Sequence, residues 1–475
     1  MRSLWTSSEA TQACGGEAQG SWAANGISID SRSLSPGDLF IALTDRRDGH
    51  DFVSSAFEAG AAAAMVSRRP EGLTRDAALL VVSDTETALR RLALWRRQQM
   101  AGKVIAVTGS VGKTSTKEML RTILQRAGLT HAARGSFNNH WGVPLTLASM
   151  PRDTEFAVIE IGMNHPGEIA PLASLTRPHV GIITEIAPAH LAAFDGLETI
   201  AREKADIFSG LEDSGIAVFY SGARCMPILE ARAQEVGAGE IIRFGFETGD
   251  RYRLADVRAV ANGTVMKFQR DGWHQCVMLR SFGAHFARNA LGAIAAAESV
   301  GADPDLAAIA LRDWQPPTGR GDVSEISLHP ERPPVYLIDD SYNANPVSVA
   351  AAIDAMAMRC STDRQSSGRS VVIMGDMLEL GPAEDRLHAE LATIPSIKKI
   401  SVIHCVGPLM KHLHAQLKPD MRGEWRESAD GLVAIMGQLL LPGDTVLVKG
   451  SKASRLALVV DAIRELHDDS VPPRG

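Results

Sequence analysis

The stretch VIAVTGSVGKTSTKEML, residues 104–120, constrains the fold more than any other part of the chain. An apolar run ends at Thr108, a glycine-rich turn follows, and an amphipathic helical pattern opens at Thr114. A strand that feeds a helix through such a turn presents backbone N–H groups and a helix N-terminus to phosphate oxygens. Gly109 and Gly112 permit close backbone approach, Lys113 reaches the β- and γ-phosphates, and the Thr114 hydroxyl ligates magnesium. The candidate nucleotide loop is Thr108, Gly109, Ser110, Val111, Gly112, Lys113, Thr114 and Ser115, with Val107 where the common phosphate loop has its first glycine. ATP and magnesium are the expected cofactors.

The same strand–helix grammar repeats along the chain. Val104–Thr108, Ala157–Ile161, Val180–Thr184 and Ile216–Tyr220 read as buried parallel strands. Val335–Ile338, Ser370–Met374, Val402–Val406 and Thr445–Val448 form a second group. Continuous apolar runs alternating with helical patterns indicate doubly wound α/β architecture with mostly parallel sheets. A Gly- and Pro-rich stretch separates the groups near Gly319–Gly321. An earlier segment, with ISIDSRSLSPGDLFIAL, reads as a smaller α/β domain, and the helix Glu86–Met100 leads out of it to a hinge at Ala101-Gly102. The expected division is 1–100, 101–320 and 321–475, with a loose tail after Val471.

Composition removes several function classes. With 475 residues, 45% apolar and 22% charged, the chain has the profile of a globular protein of two to four domains. Its formal net charge of -7 lacks the basic footprint of a nucleic-acid binder. Cys14, Cys225, Cys276, Cys360 and Cys405 form no CxxC pair, which argues against a disulfide framework or a zinc site. No secretory signal and no run of about 18 apolar residues is seen, so a cytoplasmic protein without a membrane span is expected.

Glu160 ends a buried apolar strand, where an unpaired carboxylate is costly and a cation beside the phosphate loop, or a local Arg, would offset it. His190 follows the strand VGIITEIAP and is either a metal ligand or structural. Lys204, in AREKADIF, is either a solvated helix lysine or a buried amine that reacts with carbon dioxide to give an anionic carbamate. Arg320 follows a Pro-Pro-Thr-Gly turn, from which a guanidinium can swing onto phosphate or stay on the surface of a linker. Asp339 and Asp340 end a strand, a usual place for ligand contacts and equally for turn capping. Asp376 and Glu379 also follow a strand, and helix capping accounts for them about as well. His388 reads equally as a packed side chain.

TGSVGKTSTKEM, GSFNNHWGVPLTL, EIGMNHPGEI, AHLAAFDGLETIAREKADIF, DDSYNANP, GDMLELG and VKGS occur in that order, and together they resemble the Mur ligases. The resemblance spans the chain from Asp30 to Ser451. It implies a UDP-gripping first domain, an ATPase core and a Rossmann-like third domain. The implied activity is ATP-dependent addition of D-alanyl-D-alanine to UDP-N-acetylmuramoyl-tripeptide through an acyl phosphate, with a single-amino-acid-adding ligase of the same fold as the alternative. By this resemblance Ser31, Arg32 and the stretch Asp48, Gly49, His50 to Phe52 lie near the uridine nucleotide. Asn138, Asn139 and His140 face the muramoyl-peptide. Thr114, Glu160 and His190 match magnesium ligands, and Lys204 matches a carbamylated lysine. Asn289 contacts adenine, while Arg320, Asp340, Tyr342 and Asn343 reach ATP from the third domain. Lys113, Lys204, His190 and Arg320 are the expected catalytic set, in a monomer. Phe286 stands where the family often has Asn, and Lys452 stands where Arg is common and is given no role.

Overall fold

The computed structural model describes residues 3–362 and 368–466; the tail after Val471 lies outside them. Three α/β layers follow one another along the chain. The first holds a five-stranded sheet ordered Glu17–Gln19, Leu79–Val81, Ala63–Val66, Asp38–Ile41, Gly26–Ser28, parallel except for its first strand. The helix Thr85–Gln99 leaves it, capped by Asp84, whose carboxylate accepts from Thr87 N. Two consecutive arginines anchor this helix. Arg96 lies over the Trp5 ring and donates to Leu4 O, while buried Arg97 donates to the carbonyls of Thr176 and Arg177 and pairs with Glu212 at 2.8 Å. At the expected hinge, Ala101-Gly102, the chain enters the central layer in close contact with Glu155. Lys103 N donates to Glu155 O at 2.8 Å, and a Cβ on Gly102 would lie 2.3 Å from that same carbonyl.

The central sheet has nine strands, ordered 273–279, 263–270, 252–260, 240–245, 216–220, 180–183, 103–108, 156–160, 130–132. Valine and isoleucine fill its middle strands because both faces are covered, by the clusters around Ala106 and Ile159 and around Ile105 and Leu120. The strand Lys103–Thr108 lies between Phe156–Glu160 and Val180–Ile183, both parallel to it. From this strand the chain runs to the edge at 130–132, returns to insert 156–160 beside it, and then crosses to the other side at 180–183. At such a switch point the carboxyl ends of neighbouring strands diverge and leave a crevice. The end of the sheet formed by residues 252–279 departs from the sequence reading. It is a meander of two antiparallel hairpins, turning at Ala261-Asn262 and Asp271-Gly272.

The third layer has six strands, ordered Asp322–Ile326, Val335–Asp340, Thr445–Lys449, Ser370–Gly375, Val402–Val406, Arg422–Arg426, parallel apart from the first. Its switch point falls at Thr445–Lys449, so Asp340 and Lys449 end adjacent strands in register. His404 lies on the fifth strand of this sheet, where its Nδ1 accepts from Glu424 N of the sixth at 3.0 Å. Burial pulls it down to about 4 from the ordinary value of 6.5. Between these values the unfolded chain takes up a proton that the folded chain refuses, so stability rises with pH. The contribution is fully present above about 6.5 and is lost as pH falls toward about 4. Urea midpoints at pH 5 and pH 7 should therefore differ, and His404→Asn, which retains an acceptor for Glu424 N, should narrow the gap; an unchanged gap would refute this.

Candidate functional site

The helix Lys113–Leu124 begins at the switch point with Gly112 as its N-cap at φ 88°. The loop before it is locked from the neighbouring strand. Thr184 Oγ1 donates to Val111 O at 2.6 Å, and Ser110 N donates to Glu185 O at 2.7 Å. A Cβ on Gly109 would sit 2.0 Å from Thr184 Oγ1, and one on Gly112 would meet the Asn289 amide at 2.8 Å. Glycine is thus required at both positions by packing as well as by backbone angle.

Glu160 ends the strand on the other side. Its Oε1 accepts from Thr114 Oγ1 at 3.2 Å and from Asn138 Nδ2 at 2.7 Å. Its Oε2 is buried and has no hydrogen-bond partner among the described residues. A buried carboxylate oxygen without a donor is costly, and a bound cation removes that cost. Thr114 and Glu160 are hard oxygen donors of the kind magnesium takes. The described residues contain no group of three His, Cys, Asp or Glu able to hold a metal by themselves. That accords with magnesium, which keeps waters and takes phosphate oxygens alongside one or two carboxylates. Magnesium therefore fits the donors present.

Two lysines, one of them beside this carboxylate, have unusual environments. Lys113 Nζ donates to Gly109 O at 2.8 Å, and burial lowers its pKa, opposed by Glu160. Lys204 is buried on the helix Leu197–Ala205, and burial, then the charge of Lys113, lowers its pKa well below the ordinary lysine value. Its neighbour Glu203 is committed elsewhere, accepting from Gly167 N and Ile169 N. His190 feels the charges of both lysines, and its Nδ1 lies 2.6 Å from Glu379 of the third layer.

The third layer closes the crevice into a cleft of about 440 Å³. Arg320, between Gly319 and Gly321, lies 4.0 Å over the Tyr342 ring and donates to Ser136 Oγ at 3.0 Å. Ser136 Oγ is in turn 3.4 Å from Thr114 Oγ1, so the interdomain joint touches the phosphate loop through one hydroxyl. Lys449 Nζ donates to Asp340 Oδ2 at 2.7 Å and to Asn343 O at 3.0 Å. Burial raises the Asp340 pKa against the opposing pull of Lys449. His285 in the same wall is held down to about 3 by burial and by Arg288 and Lys449, so it is neutral. Cationic side chains thus reach the cleft from both layers, the arrangement needed where anions must meet.

Residues 107–297 match the Mur ligase middle domain, 326–452 the Mur ligase, glutamate ligase domain, and 24–97 the Mur ligase family, catalytic domain. The chain belongs to the Mur ligase family. It is 35% identical over 465 residues to the UDP-N-acetylmuramoyl-tripeptide–D-alanyl-D-alanine ligase of Escherichia coli K12, covering 97% of this chain and 98% of that protein. It is 32% identical to the enzyme of the same name from Rickettsia prowazekii, covering 96% and 99%. Among solved structures, MurF from Acinetobacter baumannii superposes with a TM-score of 0.80 at 29% identity, covering 97% and 99%. A MurF ligase from Thermotoga maritima in complex with ADP shares the fold, with a TM-score of 0.76 at 24% identity over 93% and 97%.

In this Mur ligase most of the expected site residues fall into two places; Lys204 is in neither, being buried on the helix Leu197–Ala205 and absent from the cleft lining. Ser110, Val111, Gly112, Lys113, Thr114, Ser115, Glu160, His190, Asn289 and Arg320 line the cleft, as do Asn138, Asn139, Asp340, Tyr342 and Asn343. Thr108 and Gly109 underlie the loop. His140 does not line the cleft; it is exposed, edge-on to Trp141. The uridine candidates lie in the first layer. Asp48 pairs with His50 at 2.6 Å and with Arg68, His50 Nε2 accepts from Ser67 N, and exposed Arg32 pairs with Asp30 near Ser31. A Cβ on Gly49 would lie 2.4 Å from Leu43 O. Asp376 caps the helix Met410–Gln416 through Met410 N, Asp339 accepts from Ser341, and fully buried His388 holds Met377 N. For these three the capping and packing alternatives hold. The sequence reading missed Ser136, Lys449 and His285; it named Glu379, with helix capping as the alternative, but not its pairing with His190. A lysine ending the apolar strand Thr445–Lys449 was the available signal for Lys449.

Proposed function

We propose that this chain joins D-alanyl-D-alanine to UDP-N-acetylmuramoyl-tripeptide in an ATP-dependent reaction that passes through an acyl phosphate. The observation that carries the reading is the cleft in which the phosphate loop, the orphaned Glu160 oxygen and cations from two layers converge. The names of the relatives supply the substrates. Loop N–H groups and Lys113 hold the ATP phosphates, and Asn138 and Asn139 face the muramoyl-peptide. The tripeptide carboxylate oxygen attacks the γ-phosphorus and ADP leaves. Lys113 and Arg320 offset the repulsion between these anions. Magnesium, bound by Thr114 and Glu160 and at a second position by His190 and carbamylated Lys204, would supply further electrophilic charge to the phosphoryl oxygens. The amine of D-alanyl-D-alanine then attacks the acyl carbon, the amide forms, and inorganic phosphate leaves with the amine proton passing to solvent. The first layer holds the uridine nucleotide through the Asp48–His50 region, Ser31 and Arg32.

We infer functional units at 1–100, 101–320 and 321–475. We also infer a cytoplasmic location, which suits a sequence whose five cysteines form no CxxC pair. No helix among the described residues is long and apolar enough to cross a membrane.

The deciding experiment incubates the protein with ATP, magnesium, UDP-N-acetylmuramoyl-tripeptide and D-alanyl-D-alanine and weighs the product. The expected product is the tripeptide nucleotide plus the dipeptide minus water, with stoichiometric ADP and phosphate. Incorporation of a single amino acid in place of the dipeptide would assign the chain to another branch of the family. A stable phosphorylated product without amide would reject the ligase reading.

A further inference from the structure

His190 and Glu379 meet across the boundary between the central and third layers, with His190 Nδ1 2.6 Å from Glu379 Oε2. Both residues have left-handed backbones, φ 56° and φ 64°, a region that residues with a Cβ disfavour. Backbone strain of this kind persists where the surroundings over-determine it, and it clusters at functional sites. Here two strained residues from separate sheets are aimed at each other. Ala192 N also donates to Glu379 O at 3.3 Å, and Leu378 N donates to Ser451 Oγ at 2.9 Å, which anchors the Glu379 loop to the end of the third sheet.

Two simpler roles for Glu379 do not fit. It caps no helix: the short turn Gly381–Ala383 that follows has no side-chain cap, and Asp376 does the capping nearby. Nor is it structural glue, because its side chain is 61% exposed and exposed ion pairs add little to stability. What the contact does is settle the histidine. A carboxylate at Nδ1 keeps the ring proton there and leaves the lone pair on Nε2, the form in which imidazole binds a divalent cation.

We propose that Glu379 is a positioning residue supplied in cis by the third layer: it holds His190 in its cation-binding tautomer, so the second divalent-cation position, at His190, is complete only when the two layers meet. This rests on the proposed reading of His190 as a ligand. It ties cation affinity to the arrangement of the domains, so the phosphate chemistry is armed when the layer that delivers the amine is in place.

The test compares wild type with Glu379→Ala, Glu379→Gln and Glu379→Gly. The readouts are Mn²⁺ binding by electron paramagnetic resonance with a non-hydrolysable ATP analogue, magnesium dependence of ADP formation, and thermal midpoint. Glu379→Ala should weaken Mn²⁺ binding by about tenfold, in line with loss of an outer-shell partner, and raise the magnesium needed for half-maximal rate. Glu379→Gln, whose carbonyl oxygen still accepts from Nδ1, should restore most of the affinity. Glu379→Gly should match Glu379→Ala in cation binding while its thermal midpoint stays equal or rises, because glycine accepts the left-handed backbone. Wild-type Mn²⁺ affinity in Glu379→Ala overturns the proposal. So does a defect confined to KM for D-alanyl-D-alanine, which would place Glu379 against the amine instead. The two readings fail separately. Weakened Mn²⁺ binding without any amide product rejects the substrates and keeps this inference, whereas normal amide synthesis with unaltered Mn²⁺ binding in Glu379→Ala rejects this inference alone.

Discussion

Lys204→Ala should lower ligase turnover by roughly 10³-fold while leaving the thermal midpoint close to that of the parent. The expectation follows from where the amine sits. Lys204 is buried, its pKa is driven well down by burial and by Lys113, and the nearby Glu203 is occupied by two backbone N–H groups. A lysine in that setting is readily deprotonated, and the neutral amine is the form that attacks carbon dioxide. Nζ bonds to the carbon, one proton leaves, and a carbamate anion results. Such an anion would be stabilised by the Lys113 charge that disfavours the ammonium form, and would offer an oxygen donor to a cation near His190. In the wild-type protein, ¹³C-labelled bicarbonate should produce a carbamate resonance that Lys204→Ala lacks. Acetate at high concentration should return part of the variant's activity by placing a carboxylate in the vacated space. Full turnover in the variant, or absence of the resonance from active wild-type protein, would exclude the modification.

Glu160→Gln should show a loss of about 10²–10³-fold in ADP formation with stability equal to or above wild type. The glutamine oxygen can keep the hydrogen bonds from Thr114 and Asn138, so the loop geometry survives. What disappears is the charge at the Oε2 position, which has no protein donor among the described residues. Removing a buried, half-satisfied carboxylate relieves the folded state, and the relief comes at a functional position, the usual trade-off between activity and stability. Calorimetry and magnesium titration on the same samples check both halves. A variant that is much less stable, or one that keeps its magnesium response, contradicts the assignment of Glu160 as the cation's carboxylate.

Much of this site was legible before any coordinates. Val104 to Thr114 announces a strand, a turn and a helix within a dozen residues, and each step of that chemistry is local. The parallel strands were equally legible, because a strand buried on both faces must be apolar throughout. The hairpins at 252–279 were missed although Asp271-Gly272, the turn of the second, is a strong turn signal. Their strands carry arginine, aspartate and glutamine amid the apolar residues, so no continuous apolar run marks them. Polar residues at strand ends were harder still. Asp339, Asp376 and Glu379 occupy equivalent places in the sequence pattern, yet the first two satisfy nearby backbone while the third crosses to another layer.

By itself the sequence determined the phosphate loop, the α/β layering and the residue types able to hold nucleotide and cation, since these depend on spacing along the chain. Only the tertiary structure decided which of those residues act together. Thr114 meets Glu160, Arg320 meets Ser136, Lys449 meets Asp340 and His190 meets Glu379 because of sheet order and the apposition of two layers. Those arrangements come from burying whole faces of sheets and helices, a free energy spread over hundreds of residues, and no short window of sequence contains it.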